Sequence, residues 1–144
     1  MATPGDDVKR NVAGSLVWRT GTLLVSAPTK RRNALAFVAH LDDLRRRLRG
    51  VRRIHVICAG APFHDCRAVR EYLQRWGRRI VLHFLPKYAP ETNPIERVWR
   101  HLHETITRNH RCRTMEELID LAYDWFETND NHFLDMRRTF ALAA

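Results

Sequence analysis

Leu85-Pro86-Lys87-Tyr88-Ala89-Pro90-Glu91-Thr92-Asn93-Pro94-Ile95-Glu96-Arg97-Val98-Trp99 is the stretch on which the reading of the fold turns. An apolar run, Ile80 to Leu85, leads into it and reads as a strand. The prolines make an elbow, and a helix follows. Asn93 suits an N-cap, and Pro94 suits the first helical position, where its missing N–H would have no partner anyway. Glu96 then falls where a capping box can close. Ile95, Val98, Trp99, Leu102 and Ile106 recur at helical spacing and predict one buried stripe. Glu96 lies just off that stripe, beside Arg100 and His103. A carboxylate there can be a helix cap or a metal ligand, and the local sequence allows both.

The chain has 144 residues, enough for one domain with a core. Its 25 basic side chains outnumber 16 acidic ones, for a net charge of +9. Such a balance suits a polyanion such as nucleic acid. All the basic residues but Lys9, Lys30 and Lys87 are arginine, so a compositional origin stands beside the functional one. Three cysteines without a C-x-x-C spacing indicate neither a disulfide framework nor a zinc finger. With no signal-peptide pattern and no run long enough to span a bilayer, a cytoplasmic protein without a membrane partner is expected.

Upstream, Asn11–Trp18 alternates apolar and polar residues, Thr20-Gly21 turns, and Leu23–Ser26 returns, which predicts a β-hairpin. Pro28-Thr29 reads as the start of a new element. Ala34, Phe37, Val38, Leu41, Leu44 and Leu48 predict a helix ending at Gly50, with Arg45, Arg46, Arg47 and Arg49 on its far side. Ile54–Cys58 is a short buried strand. Cys66, Val69, Leu73 and Trp76 mark a helix stopped by Gly77. Thr114 and Glu117 frame a capping box for a last helix with Leu118, Ala122 and Trp125 inward and Asn129 near its end. A hairpin followed by βα units predicts an α/β protein, a mixed sheet flanked by helices. The expected division is a domain over 1–128 and a C-terminal tail over 129–144.

The run LPKYAPETNPIERVW closely resembles the LPPYSPELNPIE–W signature of Tc/mariner-superfamily transposases, in particular the insertion-sequence branch. TPGDDVKRNVAGSLVWRTGTLL resembles that branch's second and third strands, and NALAFVAHLDDL the helix after them. The resemblance is collinear over roughly residues 3–128. It implies a ribonuclease H-like DDE catalytic domain whose three carboxylates hold two Mg²⁺ or Mn²⁺ ions for DNA strand cleavage and transfer. By resemblance, Glu96 is the third carboxylate.

This chain departs from the pattern at the other two. The family's second Asp lies in a motif like V-L-D-N-A-x-x-H. Here the segment is Ile57-Cys58-Ala59-Gly60-Ala61-Pro62-Phe63-His64, so His64 aligns while Ala59 takes the Asp position. The first Asp belongs to a strand that precedes the segment this chain resembles. Asp6, Asp7, Asp42 and Asp43 read as surface charges, and Asp65 as a cap. The expectation is therefore an N-terminally truncated domain lacking the family's first, central strand, keeping only Glu96, binding no metal tightly and inactive alone. Strand edges left open would make it aggregate, self-associate, or pair its second strand directly with Ile54–Cys58. The alternative is a non-catalytic module that binds nucleic acid or a full-length transposase. Phosphate contacts are expected from Arg45, Arg46, Arg49, Arg52, Arg53, Lys87, Arg97 and Arg100, with DNA as partner. Arg52, Arg53, Arg78 and Arg79 flank the starts of two strands and either form a patch or scatter.

Other constellations carry less. His101, His103, His110 and Cys112 lack a zinc spacing, since residues two apart on a helix do not share a face. His64 with Cys66 suggests a nucleophile and base only weakly, because Cys66 fits an apolar stripe. Three of four tryptophans lie on helical stripes and are expected in the core.

Overall fold

A computed structural model describes residues 9–60, 64–86 and 93–128. Strands β1 (Gly14–Val17) and β2 (Thr22–Val25) form the predicted hairpin. Its turn closes through Gly21, whose φ of 76° favours a residue without a Cβ. The hairpin extends further than its regular ladder. Asn11 and Thr29 exchange both backbone hydrogen bonds, at 2.7 and 2.8 Å. Gly14 faces Val25, whereas Asn11 faces Thr29, so the returning strand holds one extra residue there. Pro28, which cannot donate to a ladder, sits in that irregular step. Thr29 thus still belongs to the hairpin, and the new element starts later than Pro28-Thr29 suggested.

Helix α1 (Ala34–Arg47) begins at Asn33, whose side chain accepts from the Ala36 N–H at 3.0 Å. Strand β3 (Ile54–Cys58), helix α2 (Arg67–Trp76) and strand β4 (Ile80–Phe84) follow. β3 and β4 pair in parallel, Ile54 opposite Ile80 and Cys58 opposite Phe84. The chain then enters α3 (Ile95–Leu102), a π-helical turn over His103–Thr107, and α4 (Met115–Thr128). Half of the α4 capping box forms: the Glu117 N–H donates to Thr114 Oγ1 at 3.2 Å, while the Glu117 carboxylate accepts from the N–H of Arg113, one residue before the cap, at 2.9 Å. Asn129 and the predicted tail lie outside the described residues.

The chain divides into two compact units, Met1–Lys30 with Pro94–Ala144, and Arg31–Asn93. Each has its own core. In the first, Leu23, Val98, Ala122, Trp125 and Phe126 are buried, with Leu16, Trp99 and Tyr123 packed against them. Gly14 permits this packing, because a Cβ there would stand 2.7 Å from Trp99 Cη2. Tyr123 donates to the Ser26 carbonyl at 2.5 Å and so ties α4 to the hairpin. In the second unit, Leu41 from α1 meets Ile54 and Ile80, and Phe37, Tyr72 and Leu73 close around them. Trp18, the tryptophan off the helical stripes, is 44% exposed, while Trp125 is 7% exposed.

Among the described residues the antiparallel and parallel pairs are separate two-stranded sheets. The direct pairing of a hairpin strand with Ile54–Cys58 does not occur among them. A hairpin closes locally, and a βαβ unit closes through its own crossover helix, so each pair forms without the other. No helix among the described residues is long and apolar enough to cross a membrane.

Candidate functional site

Glu96 sits in the first turn of α3, where the helix dipole favours a carboxylate. The opposite face of α3 is anchored by Val98, which is fully buried. Glu96 itself is half-buried and makes no side-chain hydrogen bond or ion pair among the described residues. The capping box predicted with Asn93 is therefore absent. Pro94 has helical geometry (φ −57°, ψ −28°), as expected of the first helical position, but the Glu96 side chain does not reach back to close the box. Asn93 is buried, at 9% exposure. Arg97 is half-buried and Arg100 exposed on the same helix. Beyond Leu102 the backbone widens, and the Arg108 N–H reaches the His103 carbonyl at 2.8 Å.

Ala59 directly follows β3 in the other unit. Its carbonyl accepts a hydrogen bond from the Nδ1–H of His64, whose ring packs on Phe37 at a centroid distance of 4.3 Å. Burial lowers the His64 pKa, the Ala59 bond opposes that, and Arg32 adds to it. A neutral ring donating through Nδ1 follows from this environment. Ala59 has a methyl group where the resemblance places a carboxylate. Cys58, buried at the end of β3, has its thiol pushed up to about 11 by burial, so it is no nucleophile at neutral pH.

The arginines expected to meet phosphate fall into two sets. Arg45 pairs with Asp42 at 2.9 Å and lies over Trp76, 3.9 Å from its centroid. Tyr72 donates to the same Asp42 at 3.1 Å, and Arg46 approaches it at 3.4 Å. Arg45 is thus part of the packing between α1 and α2. Arg49, Arg52, Arg53 and Arg78 are exposed. The parallel register sets residues 52 and 53 alongside 78 and 79, one strand spacing apart. Arg79 donates to the Leu48 and Val51 carbonyls at 3.1 and 3.0 Å, drawing the end of α1 to the same edge. These side chains form one basic edge at the N-terminal ends of β3 and β4. Lys87, Asp6 and Asp7 lie outside the described residues.

The zinc reading gains nothing. His103 bonds Thr107, His110 accepts from the Cys112 N–H, and His101 packs against Trp125.

Residues 6–119 match the family described as DDE superfamily endonuclease, and the chain belongs to it. A 39 kDa protein of insertion element IS630 from Shigella sonnei is 32% identical over 128 residues, which cover 89% of this chain and 37% of that protein. The chain thus spans little more than a third of its relative. The catalytic domain of Mos1 mariner transposase superposes with a TM-score of 0.71 at 17% identity, over 96% of this chain and 72% of that one. The Mos1 paired-end complex with Mn gives a TM-score of 0.70 at 19% identity, over 97% and 43% respectively. The chain is a DDE superfamily endonuclease domain, and its fold is the ribonuclease H-like fold of the Mos1 catalytic domain.

A pair of Mg²⁺ or Mn²⁺ ions needs several oxygen donors. Among the described residues no three of His, Cys, Asp or Glu converge on a point where a metal could bind. Glu96 offers one carboxylate and Ala59 none. The described side chains do not fit a two-cation centre.

Proposed function

We propose that this chain is a transposase DDE domain whose lineage cleaves and transfers DNA strands, and that by itself it is catalytically inactive. The observation that carries this reading is at the end of β3. The residue there is Ala59, its carbonyl is taken by His64, and its side chain has no oxygen. Glu96 keeps an open, unpaired carboxylate, as a former ligand would, but one carboxylate does not hold a metal pair. The inactivity is tested by incubating the chain with element-end DNA and Mg²⁺ or Mn²⁺. No cleavage or joining is expected. Metal-dependent cutting that Glu96→Ala abolishes would overturn it.

A second reading draws on the basic edge. A domain that keeps Arg49, Arg52, Arg53 and Arg78 exposed is suited to hold DNA, or to join the assembly of a full-length transposase, without cutting. Arg46, Arg97, Arg100 and Lys87 are further candidates for phosphate contact. If four arginines each neutralise a phosphate, log K falls against log salt with a slope of about −3.6. Changing Arg49, Arg52, Arg53 and Arg78 together to Ala should flatten that slope. An unchanged slope would remove this edge from the DNA interface. Restoring Ala59→Asp in a longer chain that carries a first-strand Asp should restore cleavage if position 59 is the missing ligand.

A further inference from the structure

The four tryptophans of the chain differ in their surroundings. Trp125 is buried, Trp99 packs into the same core, and Trp76 lies under the Arg45 guanidinium, 3.9 Å from its ring centroid. Trp18 is the largest side chain among the exposed hydrophobic residues described. Its place explains the exposure. Val12 and Leu16 of the hairpin pack against the core of their unit. Trp18 stands two residues beyond Leu16, but past Val17 and Thr22, the last pair of the ladder. It therefore opens the loop 18–21 at the tip of the hairpin, with Arg19 and Thr20 exposed beside it. The loop is closed by its own bonds. The Gly21 N–H donates to the Val17 carbonyl at 2.8 Å. Thr20 Oγ1 accepts from the Thr22 N–H at 3.3 Å and donates to Thr22 Oγ1 at 2.9 Å. An indole and a guanidinium thus follow one another on a backbone that is ordered before any ligand arrives, which lowers the cost of binding.

An indole stacks on other flat π systems, and a guanidinium pairs with phosphate. A nucleotide offers both parts. Inside a duplex, each base is covered on its two faces by its neighbours, so only an unpaired or terminal base leaves a face open. We propose that the hairpin tip binds single-stranded DNA, with Trp18 stacked on an unpaired base and Arg19 against an adjoining phosphate. The net charge of +9 and the cation next to the ring favour this polyanion over a protein partner. The site rests on the reading that the domain holds DNA, and adds a contact of another kind. The arginines of the basic edge meet the backbone of any duplex, whereas the indole requires an open base. Every base has a π face, so the contact carries little sequence preference.

The test uses the full chain and two probes. One is a single-stranded oligothymidylate; the other is relaxed circular duplex DNA, which has no unpaired or terminal base. Oligothymidylate should quench the tryptophan emission of the wild type. Trp18→Ala should remove that quenching and weaken oligothymidylate binding about fivefold or more. Its duplex binding should stay unchanged, which also shows that the fold is intact. Trp18→Phe keeps a ring to stack and should keep most of the affinity. Arg19→Ala should reduce the slope of log K against log salt for oligothymidylate by about 0.7. Unchanged oligothymidylate affinity in Trp18→Ala, or an equal loss in Trp18→Phe, would overturn the stacking and leave the duplex reading standing. Oligothymidylate binding without duplex binding would keep the tip and remove the basic edge. Absence of oligothymidylate binding by the wild type would overturn the proposal and leave the tip to a protein partner.

Discussion

His40 is a buried histidine in the middle of α1, at 4% exposure, and its titration sets an acid limit on stability. Burial lowers its pKa from 6.5 to about 4, Asp43 opposes the shift, and Arg47 reinforces it. Between those values the unfolded chain holds a proton on this ring and the folded chain does not. Unfolding therefore takes up a proton, and stability falls as pH falls through that window. From pH 7 to pH 5 the two pKa values give a loss of about 1.8 kcal/mol, and about 3 kcal/mol once the pH passes below 4. His64 acts in the same direction. Asp42 acts later: its pKa is lowered, first by the hydrogen bond from Arg45, so its contribution is lost only as acid protonates the carboxylate. The assay is urea unfolding of the wild type and His40→Gln at pH 7, 6 and 5. The wild type should lose about 1.8 kcal/mol more than the variant between pH 7 and pH 5. Equal pH dependence in the two proteins would refute the assignment, since the glutamine cannot titrate.

Three further outcomes follow from packing. Gly14→Ala drives a methyl group into Trp99 and should cost about 1–3 kcal/mol, read as a lower urea midpoint; an unchanged midpoint would mean the indole moves freely. Arg79→Ala removes the two guanidinium hydrogen bonds to the Leu48 and Val51 carbonyls, the first of which keeps the Val51 N–H, and should cost about 1 kcal/mol with faster amide exchange at the end of α1; unchanged exchange there would refute the tie. Glu96→Gln should change stability by less than about 1 kcal/mol, because only the helix dipole notices the charge. A larger loss would make Glu96 a structural residue rather than a ligand without its partners.

Much of this architecture was legible along the chain. The bounds of β3 follow from a short apolar run, and Ala122 and Trp125 of α4 from their spacing, while Leu118 is only half-buried and the buried Phe126 was not read. Both signals are local, because a strand or helix that buries one face must repeat its apolar residues at the period of its backbone. The Asn33 cap was not read along the chain, because Pro28-Thr29 drew the boundary too early. Pro94 takes helical dihedrals as expected, but the capping box does not close, because the Glu96 side chain stays unbonded. Glu96 and the methyl group at position 59 were readable by resemblance, because a motif carries its spacing in the sequence.

What the sequence by itself determined, then, is each element's type, its buried face, and which chemical groups the chain owns. Tertiary structure decided which of those groups meet. The extra residue at Pro28, the basic edge joined by Arg79, and the His55–His83 contact all join positions remote in the chain. Register and crossover set those encounters, and no periodicity within one element encodes the neighbour it will find across a ladder. The same physics separates the two kinds of result at the opening motif. Its helix and its carboxylate are written in the residues from Leu85 to Trp99, whereas a metal centre would need donors that only other strands could bring.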